Sequence, residues 1–346
     1  LHLSLRRQRQ MCIRDRIIYN PTSGREALAH DLVEILGIFE QAGYETSTYA
    51  TTPAPNSAAD EARRCAKDGF ELLVAAGGDG TINQVVNGIA GLKRRPRMAI
   101  IPAGTTNDYA RALRIPRNDP VAAAKVVLKN QTVHMDIGQA GEQYFINIAA
   151  GGLLTELTYD VPSQLKSIFG YAAYLAKGAE LLPRVKPVEM DLKYEGGHFT
   201  GKASMFFLAL TNSVGGFEQI VPDASLDDGK FTMIIVKTSN VAKMLHLMTL
   251  VLNGGKHIND PSIIYVKTRK VVARALDDRL MINIDGEYGG DAPMTFRDLK
   301  QHIEMYADTD RIPDEAITDP ELQNAERNFV SAVDQLPADA DDSETE

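Results

Sequence analysis

Cysteine is almost missing from this chain: its 346 residues include two, Cys12 and Cys65. Two cysteines cannot build the disulfide framework of a small secreted domain, so a reducing cytoplasm is the expected setting. No apolar run reaches the about 18 to 20 residues that a membrane-crossing helix needs. The first residues lack an apolar segment of the secretory type, and no export signal is expected. No Cys/His group has zinc spacing. Proline and glycine number 16 and 27, too few for a collagen-like or low-complexity chain. What is present is an ordinary globular composition, 44% hydrophobic and 24% charged. That length suits about two domains with cores of their own.

Charge is unevenly placed. The formal net charge is −9, but residues 308–346 hold 13 acidic and 2 basic side chains, so residues 1–307 sum to +2. Residues 311–346 are expected to form an acidic, largely disordered tail. The near-neutral body gives no footing for a nucleic-acid partner, and none is expected. The other end carries five arginines in its first 16 residues, with no periodicity. Its Gln10-Met11-Cys12-Ile13-Arg14-Asp15-Arg16 stretch resembles translated sequencing-adaptor read-through. Residues 1–15 are therefore read as a non-native leader, the alternative being a true basic arm, and the fold is argued from residue 16.

From residue 16 to 134, short apolar runs alternate with helical spacing. Arg16–Tyr19, Leu72–Ala75 and Met98–Ile101 read as strands; Leu28, Leu32, Ile35 and Phe39, then Ile82, Val85, Val86 and Ile89, read as helices. Such alternation implies a parallel sheet covered by helices. Beyond about residue 135 the period falls to two. Tyr144–Ile148, Met190–Tyr194, Met205–Leu210, Phe231–Val236, Ile263–Val266 and Leu280–Ile284 read as strands of an antiparallel sandwich, interrupted by helical stretches at 164–182 and 241–252. The expected fold is α/β plus mostly-β, with a domain boundary near 134–140.

Each early strand ends in a turn: Asn20-Pro21-Thr22-Ser23-Gly24, Gly77-Gly78-Asp79-Gly80-Thr81, and Pro102-Ala103-Gly104-Thr105-Thr106-Asn107-Asp108. The carboxyl ends of parallel strands share one sheet edge, so three loops converge on one ligand site. Glycines let backbone N–H groups approach a phosphate, and the helices that follow favour anions at their starts. A tight turn with Thr81 as N-cap would explain one loop alone, but not three. Asp79 and Asp108 could be simple turn residues; within these loops they are read as hydrogen-bonding a nucleotide or a metal's water shell. The P-loop pattern is absent.

These loops, with Leu226-Asp227-Asp228-Gly229-Lys230-Phe231 and Ile284-Asp285-Gly286-Glu287, make the chain resemble the soluble bacterial diacylglycerol kinases, in the superfamily of eukaryotic diacylglycerol and sphingosine kinases. The likeness covers about residues 16 to 310. It implies an N-terminal nucleotide-binding α/β domain (16–134, rejoined by about 296–310), a β-rich lipid-kinase domain (135–295), and an active site in the cleft between them. It implies nucleotide contacts at Asn20, Pro21, Thr22, Ser23 and Gly24, at Thr51, at Gly78, Asp79, Gly80, Thr81, Ile82, Asn83 and Gln84, and at Thr105 and Asp108. Relatives often have Lys after the Ser-Gly pair, where this chain has Arg25, a residue that is not interchangeable with Lys at a phosphate.

The same resemblance implies roles for the acidic residues. Asp285-Gly286 is an ideal hairpin pair, yet the likeness makes Glu287 the general base that takes a proton from a lipid hydroxyl. Asp285 then orients that base or holds the catalytic Mg²⁺. Asp227-Asp228-Gly229 has the same hairpin alternative; the likeness implies a second Mg²⁺ on the Asp228 side chain and the backbone carbonyls of Ser225 and Lys230. The implied reaction is ATP-dependent phosphorylation of the diacylglycerol 3-hydroxyl to give phosphatidate, peripherally at the inner face of the plasma membrane. Members of this family often form homodimers.

Two basic segments have plainer readings beside functional ones. Lys166, Lys177, Arg184 and Lys186 flank Ile168, Phe169, Tyr171, Tyr174 and Leu175, either an amphipathic core helix or a face for an anionic membrane surface. Lys93-Arg94-Arg95-Pro96-Arg97 reads as a solvated loop. Three other functions stay open: a kinase of a sphingoid-type lipid alcohol, an NAD kinase, which shares Gly-Gly-Asp-Gly-Thr, and a non-catalytic lipid- or nucleotide-binding regulator. The Asn20–Gly24 and Pro102–Leu113 motifs argue against the second, and the full acidic set against the third.

Overall fold

A computed structural model describes residues 13–23, 27–152, 187–213, 220–237, 240–252, 255–277, 279–313 and 316–317. In chain order the N-terminal part runs β1 (Ile13–Tyr19), α1 (Ala27–Gln41), β2 (Tyr44–Ala50), α2 (Ser57–Lys67), β3 (Leu72–Gly77), α3 (Asp79–Ile89), β4 (Arg97–Pro102), α4 (Asp108–Ala112) and α5 (Pro120–Ala124). Strands β2, β1, β3 and β4 pair in parallel in that order. All six residues of β3 are buried, which explains its unbroken apolar run: helices cover both faces of a parallel sheet.

The β-rich part contains β5 (Thr132–Ala140), β6 (Gln143–Phe145), β7 (Ile148–Gly152), β8 (Val188–Tyr194), β9 (Gly197–Ala203), β10 (Met205–Ala209), β11 (Phe231–Val236), α6 (Val241–Leu252), β12 (Ile263–Thr268), β13 (Lys270–Ala275), β14 (Met281–Ile284), β15 (Glu287–Asp291) and β16 (Met294–Tyr306). Two sheets result. A 10-stranded mixed sheet runs β2-β1-β3-β4-β16-β13-β8-β9, with β5 beside β16 and β6 beside β5; a six-stranded sheet runs β12-β11-β10-β7-β14-β15, antiparallel throughout. Phe145, Phe206, Phe231 and Phe296 fill the space between the two, Phe145 stacked on Phe231 at 5.6 Å and Phe206 edge-on to Phe296 at 6.1 Å.

The parallel layer and one layer of the sandwich are thus a single sheet. Strand β16 joins them: its end lies parallel to β4, with Met305 opposite Met98, while its start pairs antiparallel with β13. A bulge interrupts its pairing with β5 between Leu299 and Ile303, where Gln301 has φ +51°. The boundary expected near 134–140 falls inside β5.

Three local features differ from the sequence reading. Strand β1 starts at Ile13, so Ile13–Asp15 of the presumed leader pair with β2, and Asp15 with β3 as well. A ladder needs only backbone groups, and the cost falls on Asp15, which is fully buried with neither carboxylate oxygen hydrogen-bonded. Tyr144–Ile148 is not one strand but breaks at Ile146 and Asn147 between β6 and β7. The basic cluster is not wholly solvated: Arg95 donates to the His302 carbonyl at 2.8 Å and Arg97 lies 5.3 Å over the Tyr306 ring. The stretch 164–182 and the tail beyond 317 lie outside the described residues. Among the described residues no helix is long and apolar enough to cross a membrane.

Candidate active site

The carboxyl ends of β1, β3 and β4 meet at one edge. Asn20 N donates to the Ala76 carbonyl at 3.0 Å, Ala103 N to the Gly77 carbonyl at 2.8 Å, and Thr51 N to the Tyr19 carbonyl at 2.8 Å. Asn20 Oδ1 accepts from Thr22 N at 3.0 Å and Thr22 Oγ1 at 2.9 Å, which closes a turn that leaves Pro21 and Thr22 exposed and Ser23 half-buried. Gly24 and Arg25 lie outside the described residues. The other two loops touch backbone to backbone. A Cβ on Gly104 would stand 2.6 Å from Gly78 Cα and 2.7 Å from Asn107 Oδ1. Asn107, at φ +49°, holds the turn by accepting from Gly104 N at 2.8 Å and donating to the Gly104 carbonyl at 2.9 Å. Gly80, Gly104 and Thr105 face solvent, and α3 begins directly behind them, its first-turn N–H groups suited to an anion.

The side chains of this region divide sharply. Ile82 is core, and Thr81 is nearly buried. Gln84 turns away to cap α2, accepting from Ala58 N at 3.3 Å. Asp79 accepts from Thr106 Oγ1 at 3.1 Å, Asp108 N at 3.2 Å and Tyr109 N at 3.3 Å, so it caps the start of α4. Burial and then the nearby Asp108 charge raise its carboxyl above the ordinary range. Asp108 is 5% exposed and accepts from Ser213 Oγ, on the β-rich side, at 2.7 Å.

Asn83 does not face the loops. It donates to Asp285 Oδ2 at 2.7 Å and to the Tyr144 carbonyl at 3.3 Å. One helical turn later Asn87 donates to the Tyr144 carbonyl and accepts from Tyr144 N, both at 2.9 Å, as a neighbouring strand would. Helix α3 is thereby fastened to the β-rich half.

The Asp285-Gly286 turn joins β14 to β15, and both residues lie in the left-handed region, at φ +48° and +94°. That is the hairpin geometry these two residues favour. The Asp285 carboxylate accepts four N–H groups: Ile146 N at 2.7 Å, Asn147 N at 3.0 Å, Ile148 N at 2.8 Å and Asn83 Nδ2 at 2.7 Å. Burial pushes its pKa up to about 6, against the pull of those donors. The break between β6 and β7 exists to turn three N–H groups onto this acid. Glu287, the next residue but one, opens β15 and is exposed.

A second acidic group surrounds the loop before β11. Asp228 Oδ1 accepts from Lys230 N at 2.9 Å, and its Oδ2 lies 3.5 Å from Lys267 Nζ; Ser225 Oγ donates to Asp227 Oδ1 at 3.2 Å. Asp136, from β5, accepts from Gly229 N at 2.5 Å and from Gln301 N at 2.6 Å. Asp298 has both oxygens buried without a hydrogen-bond partner. Burial, then the charges of Asp136 and Asp228, raise its carboxyl well above the ordinary range, and burial raises that of Asp136 as well. Among the described residues no three His, Cys, Asp or Glu side chains are set to hold a metal.

The residues that sequence reasoning missed are Asn87, Asp136, Asn147, Thr211, Ser213 and Asp298. Asn83 and Asn87 carry a legible signal, two asparagines one helical turn apart. Asp136 carries a fainter one, a lone acid among Val133, Met135 and Ile137, while Asp298, between Arg297 and Lys300, carries none.

Comparison with known proteins fits this geometry. Residues 14–140 match the diacylglycerol kinase catalytic domain, and residues 158–307 the YegS C-terminal NAD kinase beta sandwich-like domain. A diacylglycerol kinase of Bacillus subtilis (strain 168) is 52% identical over 292 residues, 84% of this chain and 95% of that protein. One from Staphylococcus aureus (strain bovine RF122 / ET3-1) is 48% identical over 311 residues, 90% and 98% respectively. A crystal structure from Bacillus anthracis str. Sterne superimposes with a TM-score of 0.75 at 23% identity, covering 86% of this chain and 95% of that one, which speaks for the fold alone.

Proposed function

The chain belongs to the diacylglycerol kinase family, and on that premise we propose that it moves the γ-phosphoryl group of ATP to the 3-hydroxyl of a diacylglycerol, with Glu287 as general base. The observation that carries this reading is the tie from Asn83 to Asp285 at 2.7 Å: it fixes the turn bearing Glu287 to the helix that starts at the phosphate-binding loop. The ATP phosphates lie against the backbone of the Asn20–Ser23 turn, exposed at Pro21 and Thr22, and of exposed Gly80 and Gly104–Thr105 at the start of α3. The lipid hydroxyl approaches from the exposed side of β15, gives its proton to the Glu287 carboxylate and attacks phosphorus in line. Asp285, with four N–H groups on it, anchors the turn and does not reach for a metal.

Mg²⁺ suits two places. Carried with ATP, it neutralises phosphate charge. At the second acidic group the donors are hard oxygens, and the two unpartnered Asp298 oxygens mark a spot short of positive charge. There Asp228, with the carbonyls of Ser225 and Lys230, would hold Mg²⁺, an ion that keeps several waters and needs few side chains. Peripheral attachment at an anionic inner membrane surface, a cytoplasmic setting and a homodimer belong to the same proposal.

The test is phosphoryl transfer from labelled ATP to lipids in mixed micelles, wild type against Glu287→Gln, over diacylglycerol and a sphingoid base. Phosphatidate formation by the wild type, lower by at least about 10²-fold in the variant, is expected. Equal rates would discard Glu287 as base, and wild-type preference for the sphingoid base would move the substrate.

A further inference from the structure

Hydrogen bonds close a ring through both halves of the protein. It starts at Asp79, which accepts from the backbone N–H of Asp108 at 3.2 Å. The Asp108 carboxylate accepts from Ser213 Oγ at 2.7 Å. The Thr211 hydroxyl then shares its single proton between two acceptors, the Ser213 carbonyl at 3.1 Å and the Asn147 side-chain carbonyl. Asn147 N donates to Asp285 Oδ1 at 3.0 Å, and Asn83 closes the circuit on Asp285 Oδ2 at 2.7 Å, one helical turn along α3 from Asp79. The far arc is dry: Thr211 and Ser213 are 0% exposed, Asp108 5% and Asn147 8%. Buried polar groups that satisfy one another in this way fix a single geometry, because opening any link leaves a polar atom without water.

The near arc is covalent, the first turn of α3. The far arc joins loop residues far apart in sequence; the β7–β10 pairing seats its Asn147 end, where Leu210 N donates to the Asn147 carbonyl at 3.0 Å, and Ser213 carries it across to Asp108. We propose that Asn147, Thr211 and Ser213 are positioning residues for phosphoryl transfer, holding the Glu287 turn at a fixed distance from the phosphate-binding loops by closing this ring. None of the three need touch substrate. The inference rests on the kinase reading for its kinetic consequence but not for its structural one.

The experiment uses the full chain, with Thr211→Val, which removes the hydroxyl at nearly constant volume, and Thr211→Ser, which keeps it. Amide hydrogen exchange of the nucleotide-free protein is the first readout. Opening the ring speeds exchange by about tenfold or more at Ile146–Ile148 and at Asp108–Tyr109, across the cleft from the change. Faster exchange confined to residues 210–213 overturns the proposal. Steady-state kinetics is the second: kcat falls about 10- to 100-fold while KM for ATP stays within about twofold, and Thr211→Ser recovers most of kcat. An unchanged kcat overturns it, as does a fall in kcat that Thr211→Ser does not repair. Ser213→Ala should match Thr211→Val, and the double variant should be no worse than either, since a ring opens once; multiplied losses refute a ring. If Thr211→Val does not fold, Ser213→Ala carries both readouts. Wild-type silence on diacylglycerol would sink the kinase reading and leave the exchange result to decide the ring.

Discussion

Replacing Gly104 by alanine should separate the two glycine-bearing loops proposed to hold phosphate, and the structure sets the size of the effect. The new Cβ would stand 2.6 Å from Gly78 Cα and 2.7 Å from Asn107 Oδ1. Carbon atoms pack comfortably at about 3.5 Å or more, so one loop must retreat by close to 1 Å. Neither obstacle is the far end of a flexible side chain: one is backbone, and the other is an amide oxygen held at 2.8 Å by Gly104 N. Moving Asn107 would also disturb its bond to the Gly104 carbonyl and the start of α4. The strain is that of an overpacked core, about 1 to 3 kcal/mol. If these loops position the ATP phosphates as proposed, a displacement near 1 Å is worth roughly 10²-fold in kcat/KM for ATP.

The mirror-image change is milder. A Cβ on Gly78 meets Gly104 Cα at 3.3 Å, a contact that needs only a few tenths of an ångström of relief. Urea unfolding should therefore rank wild type near Gly78→Ala and well above Gly104→Ala, and ATP titration of the folded Gly104→Ala protein should show weakened binding. Equal stability of the two variants, or an unchanged ATP affinity for Gly104→Ala, would refute the loop contact and with it the convergence of the two loops.

Two further expectations concern buried polar groups. Asp15 has its pKa pushed up to about 6, chiefly by burial, so its contribution to stability is full below the ordinary value near 3.8 and is lost as pH rises through about 6. The advantage of Asp15→Val in urea unfolding should grow by about 3 kcal/mol across that window, and a pH-independent difference would show that the acid is solvated or paired. Tyr109 is fully buried with its hydroxyl unpartnered. Tyr109→Phe should leave stability unchanged or raise it by about 1 kcal/mol, and a loss of that size would mean the hydroxyl has found a partner.

Much of the first layer was legible because its signals are local. Apolar runs at Leu72–Ala75 and Met98–Ile101, each followed by a glycine-bearing turn and a helix, become β3, β4 and their loops with ends shifted by two residues or fewer. Strand β2 and helix α2 gave no such signal. The strand, Tyr-Glu-Thr-Ser-Thr-Tyr-Ala, is a half-exposed edge with polar residues on both faces. The helix buries Ala58, Ala59, Ala62 and Cys65, a face of small side chains too weakly apolar to read as periodic. The far arc at the site was illegible for a different reason. Asn147, Thr211 and Ser213 are ordinary polar residues at strand ends, and only the packing of two sheets brings Ser213 to Asp108 across 105 positions of sequence. The Asp285-Gly286 pair shows the limit from the other side: hairpin and functional readings looked like rivals, yet the two are compatible, since the left-handed turn that holds the anchoring acid also leads into the exposed Glu287.

That arrangement also narrows which carboxylate can act as base. On the proposed reading four acids, Asp79, Asp108, Asp285 and Glu287, belong to a site that takes a polyphosphate, and bare negative charges there would repel it. Three of them are turned onto donors: Asp79 onto the α4 start, Asp108 onto Ser213, and Asp285 onto four N–H groups. Protonating any of these would break the fold's own contacts, so none is suited to accept a substrate proton in each cycle. Glu287 alone of the four is exposed. Its removal should therefore be silent in stability, within about 0.5 kcal/mol as for other surface substitutions, while Asp285→Asn sets an amide against two of its donors and costs several kcal/mol. Rate loss without stability loss in Glu287→Gln, and stability loss in Asp285→Asn, would assign proton transfer to one acid and positioning to the other. Destabilisation in Glu287→Gln as large as in Asp285→Asn would mean that Glu287, too, is structural.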